Sequence, residues 1–422
     1  MDKSNASSRR EFLITSAAAG ALGAMAVPPV HAAANARIKF GLVGCGGRGG
    51  GAAEQAMNAG TDVILTAMGD AFADRLQSSL RNLKQRKPDQ VQVDADHCFT
   101  GFDAYKKVVD SAVDVVLLTS PPGFRPAHIE YAVNAGKHVF CEKPMAVDAP
   151  GVRSLIKSVE LAKQKNLAMV AGFNSRYSPA AKASLARIHD GAIGRIVAMY
   201  TTFNTGYLWG FPRKPEWSDM EWQVRNWYYF TWLSGDHLVE QAVHNCDKMF
   251  WAMKDQPPVR ALALGGRQVR IEPQWGNIYD HFAVAYEWED GARGFLFARQ
   301  QERCDNDVSD HFMGTLGNAD LGRTHVITGA NPWKYQGEKG SGHQEEQIAL
   351  FDCIRNKKPI VDGDRIVKST LISIMGRMAA YTGKTITWQQ AMDSQESLVP
   401  EKLEWGPFPT PAVAMPGRTK FI

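Results

Sequence analysis

The sequence lacks the features that mark several common classes of protein. Its 422 residues contain six cysteines without a C-x-x-C pair or a dense framework, so we expect most to be buried thiols, although a disulfide stays open. No basic run with interleaved aromatic residues occurs, and a net charge of +4 over this length indicates no polyanionic partner such as nucleic acid. The length allows two domains with full cores, and we find no internal repeat.

The first 34 residues have the pattern of an export signal. A twin-arginine motif, Ser8-Arg9-Arg10-Glu11-Phe12-Leu13, precedes an apolar stretch over residues 14–27, and Val30-His31-Ala32 supplies small residues for cleavage. An amphipathic helix or a membrane anchor is the alternative, but the apolar stretch is shorter than the about 20 residues of a membrane span. We therefore predict a twin-arginine signal peptide over residues 1–34, export of the folded protein to the periplasm or the extracellular space, and no membrane anchor after processing.

Residues 38–70 form the stretch around which the rest of the chain is organised. An apolar run from Ile38 to Val43 enters a glycine-rich turn, a helical pattern follows, and a second apolar run ends at Asp70. In a G-x-G-x-x-G turn, Gly44 allows the tight turn, Gly46 leaves room for a pyrophosphate, and Gly49 lets the helix pack closely on the strand. Unpaired N–H groups at the helix start then face the phosphates. This pattern predicts a dinucleotide-binding Rossmann unit whose turn binds the cofactor through Gly44, Gly46, Gly47, Arg48 and Gly49.

The choice between the two nicotinamide dinucleotides depends on Asp70. This residue lies about twenty residues past the last glycine, where a carboxylate accepts hydrogen bonds from the adenosine ribose and repels a 2′-phosphate. NAD is therefore favoured as the cofactor. NADP is the less favoured alternative, because Arg48 or Arg75 could hold a phosphate instead.

Beyond Asp70, apolar strand-like runs alternate with helical patterns up to residue 176, which predicts a parallel sheet. Later strand-like runs follow one another without helices between them, which predicts a largely antiparallel sheet. We therefore expect an α/β protein. Its predicted parts are an N-terminal doubly wound parallel Rossmann domain over 37–176, an α+β domain with a large, mostly antiparallel open sheet over 177–390, and a C-terminal arm over 391–422.

Several motifs resemble one oxidoreductase family. They are the glycine turn, Thr119-Ser120-Pro121-Pro122 with His128, Gly136-Lys137-His138-Val139-Phe140-Cys141-Glu142-Lys143-Pro144, and Gly172-Phe173-Asn174-Ser175-Arg176-Tyr177. In these the chain resembles the glucose-fructose oxidoreductase, inositol dehydrogenase and rhizopine-catabolism (Gfo/Idh/MocA) family over nearly all of residues 37–390. The resemblance implies an open sheet that backs the active site and often forms the interface of a homodimer or homotetramer. It also implies cofactor contacts by Thr119, Pro121, His128, Glu142 and Lys143.

Members of that family typically oxidise or reduce a secondary alcohol of a sugar or cyclitol. The resemblance assigns catalysis to Lys143 and to a D-x-x-x-H pair on a later helix, which here is Glu240 and His244. The residues fit this role, because His237, Glu240 and His244 share one face of a helix predicted over 237–253, and such a polar face should line a cleft or be solvated. His244 would take the hydroxyl proton as hydride leaves for nicotinamide, and Lys143 would stabilise the alkoxide-like oxygen.

Two further hypotheses concern the same region. His237, Glu240 and His244 have residue types and a helical spacing that could hold a divalent metal, but the motif is not H-E-x-x-H and we predict no metal. The segment 207–232 is dense in aromatic rings, which suit stacking on a sugar and equally suit a core or an oligomer contact. The candidate substrate contacts are Arg176, Tyr177, Trp227 and Tyr228.

The leading hypothesis is an NAD-dependent oxidoreductase that acts on an alcohol of a small sugar, glycoside or cyclitol. An exported enzyme cannot draw on the cytoplasmic cofactor pool, so we expect the NAD to be tightly held. One alternative is an NAD-dependent glycoside hydrolase that oxidises the sugar transiently, eliminates the aglycone, adds water and returns the hydride. Another is a sugar-binding or regulatory protein that keeps the fold without the chemistry.

Overall fold

The computed structural model describes residues 37–322, 324–338 and 340–422. The predicted twin-arginine signal, residues 1–34, lies outside the described residues. Among the described residues, no helix is both long and apolar enough to cross a membrane. All six cysteines are free thiols, and four of them are buried.

Strands and helices alternate over the first part of the described chain. The elements are β1 (Ile38–Val43), α1 (Gly47–Asn58), β2 (Val63–Asp70), α2 (Ala73–Arg86), β3 (Cys98–Thr100), α3 (Ala104–Asp110), β4 (Val115–Leu118), α4 (Arg125–Asn134), β5 (His138–Cys141), α5 (Ala149–Gln164) and β6 (Met169–Ala171). Six parallel strands form a sheet in the order β3-β2-β1-β4-β5-β6. This is a doubly wound Rossmann arrangement, which confirms the predicted fold class for this part.

Helices cover both faces of the parallel sheet, so its strands are continuous apolar runs. All four side chains of β4 are buried. Val115 and Leu117 belong to the core on one face, and Val116 and Leu118 belong to the core on the other. The carboxyl ends of the parallel strands meet at one edge of this sheet, and that edge is where ligands bind in such folds.

The second part of the chain forms a large mixed sheet with helices on one face. Its elements are α6 (Pro179–His189), β7 (Ile196–Thr205), α7 (Asp219–Arg225), α8 (Thr231–Ser234), α9 (His237–Glu240), α10 (Val243–Ala252), β8 (Arg260–Gly266), β9 (His281–Glu287), β10 (Arg293–Gln300), β11 (Asp307–Gly314), β12 (Gly317–Leu321), β13 (His325–Gly329), β14 (Trp333–Lys334), α11 (Gly342–Arg355), α12 (Gly363–Thr382), β15 (Ile386–Thr387) and α13 (Trp388–Asp393). Nine strands pair in the order β14-β13-β12-β11-β7-β10-β9-β8-β15. Only the β7–β10 pair among them is parallel, so the predicted open, mostly antiparallel sheet is confirmed.

The other face of the nine-stranded sheet leaves apolar side chains in solvent. In β8 the buried Ala261 and Ala263 alternate with Leu262 and Leu264, which are 54% and 75% exposed. β10 repeats this pattern with exposed phenylalanines at 295 and 297. A contiguous apolar surface of this kind marks an interaction site in a soluble protein.

Helices and an arm near the C-terminus join the two parts. α11 packs against α1, and α12 packs against α5 and β6 as well as β8. The last helix, α13, includes residues 391–393 of the predicted arm. The remaining residues, 394–422, contain no helix or strand and run over the surface, and we use the name C-terminal arm for them from here on. The arm closes on itself at its base, where Ser394 Oγ donates a hydrogen bond to Ile422 O (2.6 Å).

Candidate functional site

The glycine turn between β1 and α1 has the shape that a pyrophosphate needs. Gly44 has a φ of +92°, and a Cβ on Gly49 would lie 1.9 Å from Gly44 O, so only glycine lets α1 pack this closely. At Gly46 and Gly47, by contrast, a Cβ would meet no protein atom within 4 Å. The missing side chains therefore leave free space at the start of α1, where the backbone N–H groups and the helix dipole favour an anion.

This free space is part of a groove of about 650 Å³ that we name the glycine-turn groove. Thr119 lines it and fastens the turn, because its Oγ1 donates a hydrogen bond to Gly44 O (2.6 Å). The other side chains that line the groove include three arginines and three large aromatic residues, namely Arg48, Arg75, Arg86, Trp209, Phe211 and Trp227. Backbone N–H groups, guanidinium groups and aromatic rings together fit an anionic ligand that carries rings, as a dinucleotide does.

A neighbouring pocket lies at the carboxyl ends of β2 and β4, and we name it the β2–β4 pocket. Asp70, Phe72 and Pro121 are among the residues that line it. The Asp70 carboxylate accepts hydrogen bonds from Cys45 N (2.6 Å) and Phe72 N (2.9 Å), so it also holds the glycine turn. Burial raises the pKa of Asp70. Each carboxylate oxygen has a further lone pair, which leaves Asp70 able to accept a ribose hydroxyl.

His128 forms part of the wall of the β2–β4 pocket. Its ring stacks on Tyr105, with ring centroids 4.0 Å apart, and its Nδ1 lies 3.0 Å from Ser120 Oγ. Burial, followed by the charge of Arg125, lowers the pKa of His128 to about 3. The imidazole is therefore neutral and serves as a flat, hydrogen-bonded wall rather than as a charged group.

Glu142 and Lys143 follow β5 at the same edge of the sheet. Glu142 Oε1 lies 2.8 Å from Arg48 Nε, so the end of β5 is ion-paired to the glycine turn. Lys143 Nζ donates hydrogen bonds to Glu240 Oε1 (2.9 Å) and to Glu240 O (2.5 Å). The Lys143 and Glu240 side chains are only 12% and 8% exposed. A nearly buried ion pair thus joins the Rossmann part to α9 of the second part.

His244 lies near this pair, in the first turn of α10. Its ring meets the edge of Phe173, with centroids 6.0 Å apart, and its Nδ1 has no hydrogen-bond partner among the described residues. Burial and the nearby charge of Lys143 lower the pKa of His244 well below its usual value. Lys143, Glu240 and His244, which the sequence predicted to work together, are therefore brought together by the fold.

His237 does not join them, which corrects the predicted shared helix face. The predicted single helix over 237–253 is two helices, α9 and α10, with Gln241 and Ala242 between them, and His237 O accepts hydrogen bonds from both Gln241 N (2.9 Å) and Ala242 N (3.3 Å). The His237 ring is fully buried and packs against Phe282. Burial lowers the pKa of His237 well below its usual value, and the charged groups that affect it are those of Arg270, Asp280 and His281 rather than Lys143.

Arg176 and Tyr177, predicted as substrate contacts, are held by internal contacts. The Arg176 guanidinium pairs with Asp247 (2.8 Å) and Asp255 (2.9 Å) and is 5% exposed. The Tyr177 hydroxyl donates a hydrogen bond to Asp362, and its ring belongs to the core of the Rossmann part. Both side chains therefore serve to fix the fold, which corrects their predicted role.

The two aromatic residues predicted to contact substrate differ from each other. Trp227 lines the glycine-turn groove and is partly exposed. Tyr228 is buried, and its hydroxyl accepts a hydrogen bond from Gln300 Nε2 (2.7 Å), so it belongs to the core and its predicted role is corrected. Much of the aromatic segment is core, because Trp222, Tyr228 and Trp232 fall in one buried cluster.

Two residues that sequence reasoning missed, His343 and Glu346, lie beside Glu142. His343 Nε2 accepts a hydrogen bond from Asn174 Nδ2 (2.7 Å), and His343 Nδ1 lies 3.2 Å from Glu346 Oε1. Glu142, His343 and Glu346 each place a potential ligand atom within 4.8 Å of the others, whereas His237, Glu240 and His244 form no such group among the described residues. Burial and the charge of Glu142 raise the pKa of Glu346 well above its usual value. The sequence signal that could have found His343 and Glu346 is their H-x-x-E spacing at the start of α11, which places both on one face of that helix.

The first part of the chain is similar to a known protein family. Residues 38–173 match the sequence model of the Gfo/Idh/MocA oxidoreductase family, described as an NAD-binding Rossmann fold. This match confirms the resemblance over those residues, and it confirms NAD as the cofactor that the fold binds.

Individual relatives are similar over part of the chain. Inositol 2-dehydrogenase of Rhizobium meliloti is 32% identical over 161 residues, which are 38% of this chain and 43% of that protein. Levoglucosan dehydrogenase of Pseudarthrobacter phenanthrenivorans is 28% identical over 229 residues, which are 51% of this chain and 57% of that protein. The chain spans about half the length of the curated relatives it matches. A solved aldose-aldose oxidoreductase from Caulobacter crescentus shares the fold, with a TM-score of 0.66 and 18% identity over 83% of this chain and 99% of that one.

Proposed function

We propose that the protein is an NAD-dependent oxidoreductase that moves a hydride between nicotinamide and a secondary alcohol of a sugar, glycoside or cyclitol. The observation that carries the proposal is the Lys143–Glu240 ion pair beside His244, at the sheet edge that also bears the glycine turn. A fixed positive charge and a proton acceptor are what alcohol oxidation requires at its reacting carbon.

The residues present fit the cofactor. The open space at Gly46 and the start of α1 would hold the pyrophosphate, and Asp70, with Pro121 and His128 beside it in the β2–β4 pocket, would accept hydrogen bonds from the adenosine ribose. Arg48 and Glu142 would lie along the path from the turn towards Lys143. When bound, NAD supplies a hydride acceptor at C4 of its nicotinamide ring.

Lys143 acts on the substrate oxygen in this proposal. Its ammonium has three N–H donors, and Glu240 accepts two of its hydrogen bonds, so the third is free for a ligand. Negative charge grows on the alcohol oxygen as its proton leaves, and a preorganised ammonium stabilises that charge. Glu240 is a positioning residue, because it fixes Nζ through both its side chain and its main chain.

His244 accepts the hydroxyl proton. Its lowered pKa keeps the imidazole neutral at pH 7, and a neutral imidazole has a free lone pair on one ring nitrogen. Protonation of His244 beside Lys143 would place two positive charges close together, so the proton should pass on to solvent or to a neighbouring group before the next turnover. His343, whose charge also affects the pKa of His244, is our candidate for that group.

The substrate class is supported by the relatives and by the groove. Inositol and levoglucosan, which two relatives are named for, are both polyhydroxylated rings. Trp209 and Trp227 present aromatic faces in the glycine-turn groove, and such faces stack on the apolar faces of sugar rings. The exposed apolar face of β8 and β10 supports assembly into a homodimer or homotetramer. The twin-arginine motif supports export to the periplasm or beyond, with NAD carried inside the folded protein.

The direct test uses the exported protein, purified with the nucleotide that it carries. The bound nucleotide is released by denaturation and identified by mass, and absorbance at 340 nm is then followed as cyclitols, anhydrosugars, aldoses and aryl glycosides are added to the holoprotein. We expect reduction of bound NAD by at least one compound, loss of this signal in Lys143→Ala and His244→Ala proteins that still carry NAD, and no loss in Lys157→Ala, whose side chain is exposed on α5.

Two outcomes would redirect the proposal. A Lys143→Ala protein that carries NAD and keeps full turnover would remove the assigned site. Release of nitrophenol from an aryl glycoside without added NAD and without net change at 340 nm would favour the redox-neutral glycoside hydrolase.

A further inference from the structure

The C-terminal arm contacts two residues that line the β2–β4 pocket. The Trp405 indole stacks on the Phe102 ring, with centroids 4.2 Å apart and planes 26° apart, and lies 5.5 Å from the Phe72 ring. Phe72 and Phe102 both line that pocket. Trp405 is 45% exposed, so this large side chain contacts two pocket residues while part of it remains in solvent.

The arm is attached to both parts of the molecule, on either side of Trp405. Before it, Leu398 N donates a hydrogen bond to Asp148 Oδ2 (2.8 Å) of the Rossmann part. After it, Phe408 O accepts a hydrogen bond from Gln223 Nε2 (2.6 Å) in α7 of the second part. The arm therefore spans the boundary between the two parts at the adenosine end of the cofactor site.

Apolar side chains of the arm extend this attachment. Three of them pack on a buried cluster that contains residues of both parts: the arm contributes Leu398, Leu403 and Phe408, and the cluster includes Phe72, Phe124, Trp222 and Trp232. The Phe408 ring meets the edge of Trp232, with centroids 5.6 Å apart. Because detachment of the arm would expose these side chains to water, the closed position is favoured by apolar burial.

We infer that the C-terminal arm is a component of the cofactor site: Trp405 backs Phe72 and Phe102 where they wall the adenosine half, and the arm must loosen before the dinucleotide can leave. This inference rests on the cofactor site proposed above and not on the reaction. Adenine is a flat aromatic ring, and Phe72 and Phe102, which the arm contacts through Trp405, are rings of the same pocket as Asp70 that would receive it. By linkage, bound NAD must stabilise the closed arm by the same factor by which the closed arm stabilises bound NAD.

The first test measures release of NAD without any substrate. Holoprotein is diluted into buffer that contains an NAD-degrading enzyme, and the dinucleotide that stays on the protein is measured after rapid desalting. Loss of one aromatic stacking contact should speed release about 3- to 10-fold in Trp405→Ala. Trp405→Phe should fall between that variant and the unmodified protein. Met415→Ala, a change at an exposed arm residue outside this contact, should match the unmodified protein. Equal release rates for Trp405→Ala and the unmodified protein would overturn the inference.

The second test needs no substitution and so does not depend on how a variant folds. Lys402 is exposed within the arm, and Lys254 is exposed in the turn after α10. We expect saturating NAD to slow trypsin cleavage after Lys402 and to leave cleavage after Lys254 unchanged. Equal cleavage after Lys402 with and without NAD would contradict the role of the arm.

Failure of the cofactor site and failure of the proposed reaction give different results in these tests. An unmodified protein that neither carries nor takes up NAD overturns the cofactor site and the role of the arm together. A protein that holds NAD tightly, releases it faster after Trp405→Ala and reduces it with no sugar supports the arm and refutes only the reaction.

Discussion

The ion pair between Lys143 and Glu240 allows stability and catalysis to be separated in one experiment. Both side chains are nearly buried, at 12% and 8% exposure, and the ammonium makes hydrogen bonds of 2.9 Å and 2.5 Å to Glu240. Removal of one partner of a buried pair leaves an uncompensated charge and typically lowers the free energy of unfolding by about 3–5 kcal/mol. We therefore expect losses of this size for Lys143→Met and, to a smaller extent, for Glu240→Gln.

The double variant Lys143→Met/Glu240→Gln should be much less destabilised than the sum of the two single variants. With both charges removed, no unpaired ion remains in the boundary between the two parts, so the coupling free energy from the double-mutant cycle should exceed about 2 kcal/mol. Equilibrium denaturation of the three variants and the unmodified protein measures this quantity. Additivity within about 0.5 kcal/mol would refute the pair as a stabilising contact.

The same four proteins report on catalysis. Recovery of stability in the double variant should not recover reduction of bound NAD, because the ammonium that stabilises the substrate oxygen is absent. Glu240→Gln alone keeps that ammonium and should retain part of the activity. A double variant that reduces bound NAD as fast as the unmodified protein would refute the role of Lys143 while leaving its structural role intact.

Three further predictions follow from the site and its pKa shifts. His244→Ala should lower kcat about 10²- to 10⁴-fold without loss of bound NAD. Because the pKa of His244 is lowered, the kcat/KM of the unmodified protein should begin to fall on the acid side only below pH 6.5. The pKa of His128 falls to about 3 on folding, so its contribution to stability is full above pH 6.5 and declines as the pH falls below that value. Between pH 7 and pH 5, the free energy of unfolding should therefore fall by about 2 kcal/mol more in the unmodified protein than in His128→Phe. Gly46→Ala should abolish NAD binding with an unchanged Tm, because the added Cβ meets open space in the protein, whereas Gly49→Ala should lower Tm, because its Cβ would lie 1.9 Å from Gly44 O. Similar Tm values for the two variants, with NAD retained in both, would contradict this interpretation of the turn.

The Rossmann part could be predicted from sequence because its signals are local. A strand buried on both faces is a short continuous apolar run, and a turn at a close backbone approach requires glycine at fixed offsets. Asp70 is also a local signal, since it ends the strand that follows the glycine turn. The structure adds that its carboxylate holds Cys45 N and Phe72 N, which no spacing rule indicates.

The position of His237 could not be predicted in the same way, because it depends on the continuity of one helix. Residues at i and i+7 share a face only if every residue between them keeps the helical rotation of about 100°. Here α9 ends at Glu240, the next residue, Gln241, has a φ of −102°, and α10 begins at Val243. His237 and His244 therefore lose their common face. Glu240 stays in the site because Lys143 holds it from the other part of the molecule.

His343 and Glu346 were missed for a different reason. They lie about 200 residues after Glu142 in the chain and reach it because α11 packs against α1 and against the turn at Asn174. Side-chain spacing within α11 shows that the two residues share a face but not what that face meets. Tertiary contacts between distant elements decide which polar residues become neighbours, and a single sequence does not contain that information.

The proposed enclosure of the cofactor would limit the kind of turnover that this architecture suits. A dehydrogenase that exchanges NADH for NAD after each cycle needs both ends of its dinucleotide groove to open quickly. In this chain the glycine-turn groove is bordered by Trp209 and Trp227, and the adenosine end is backed by Trp405 on an arm attached to both parts. If the dinucleotide stays in place, the hydride taken from one alcohol must be returned at the same carbon of nicotinamide, either to a second carbonyl compound or to a product of the first substrate. Lys143 and His244 suit both directions equally, because the ammonium that stabilises an alkoxide also polarises a carbonyl, and the protonated imidazole returns the proton that the neutral one accepts.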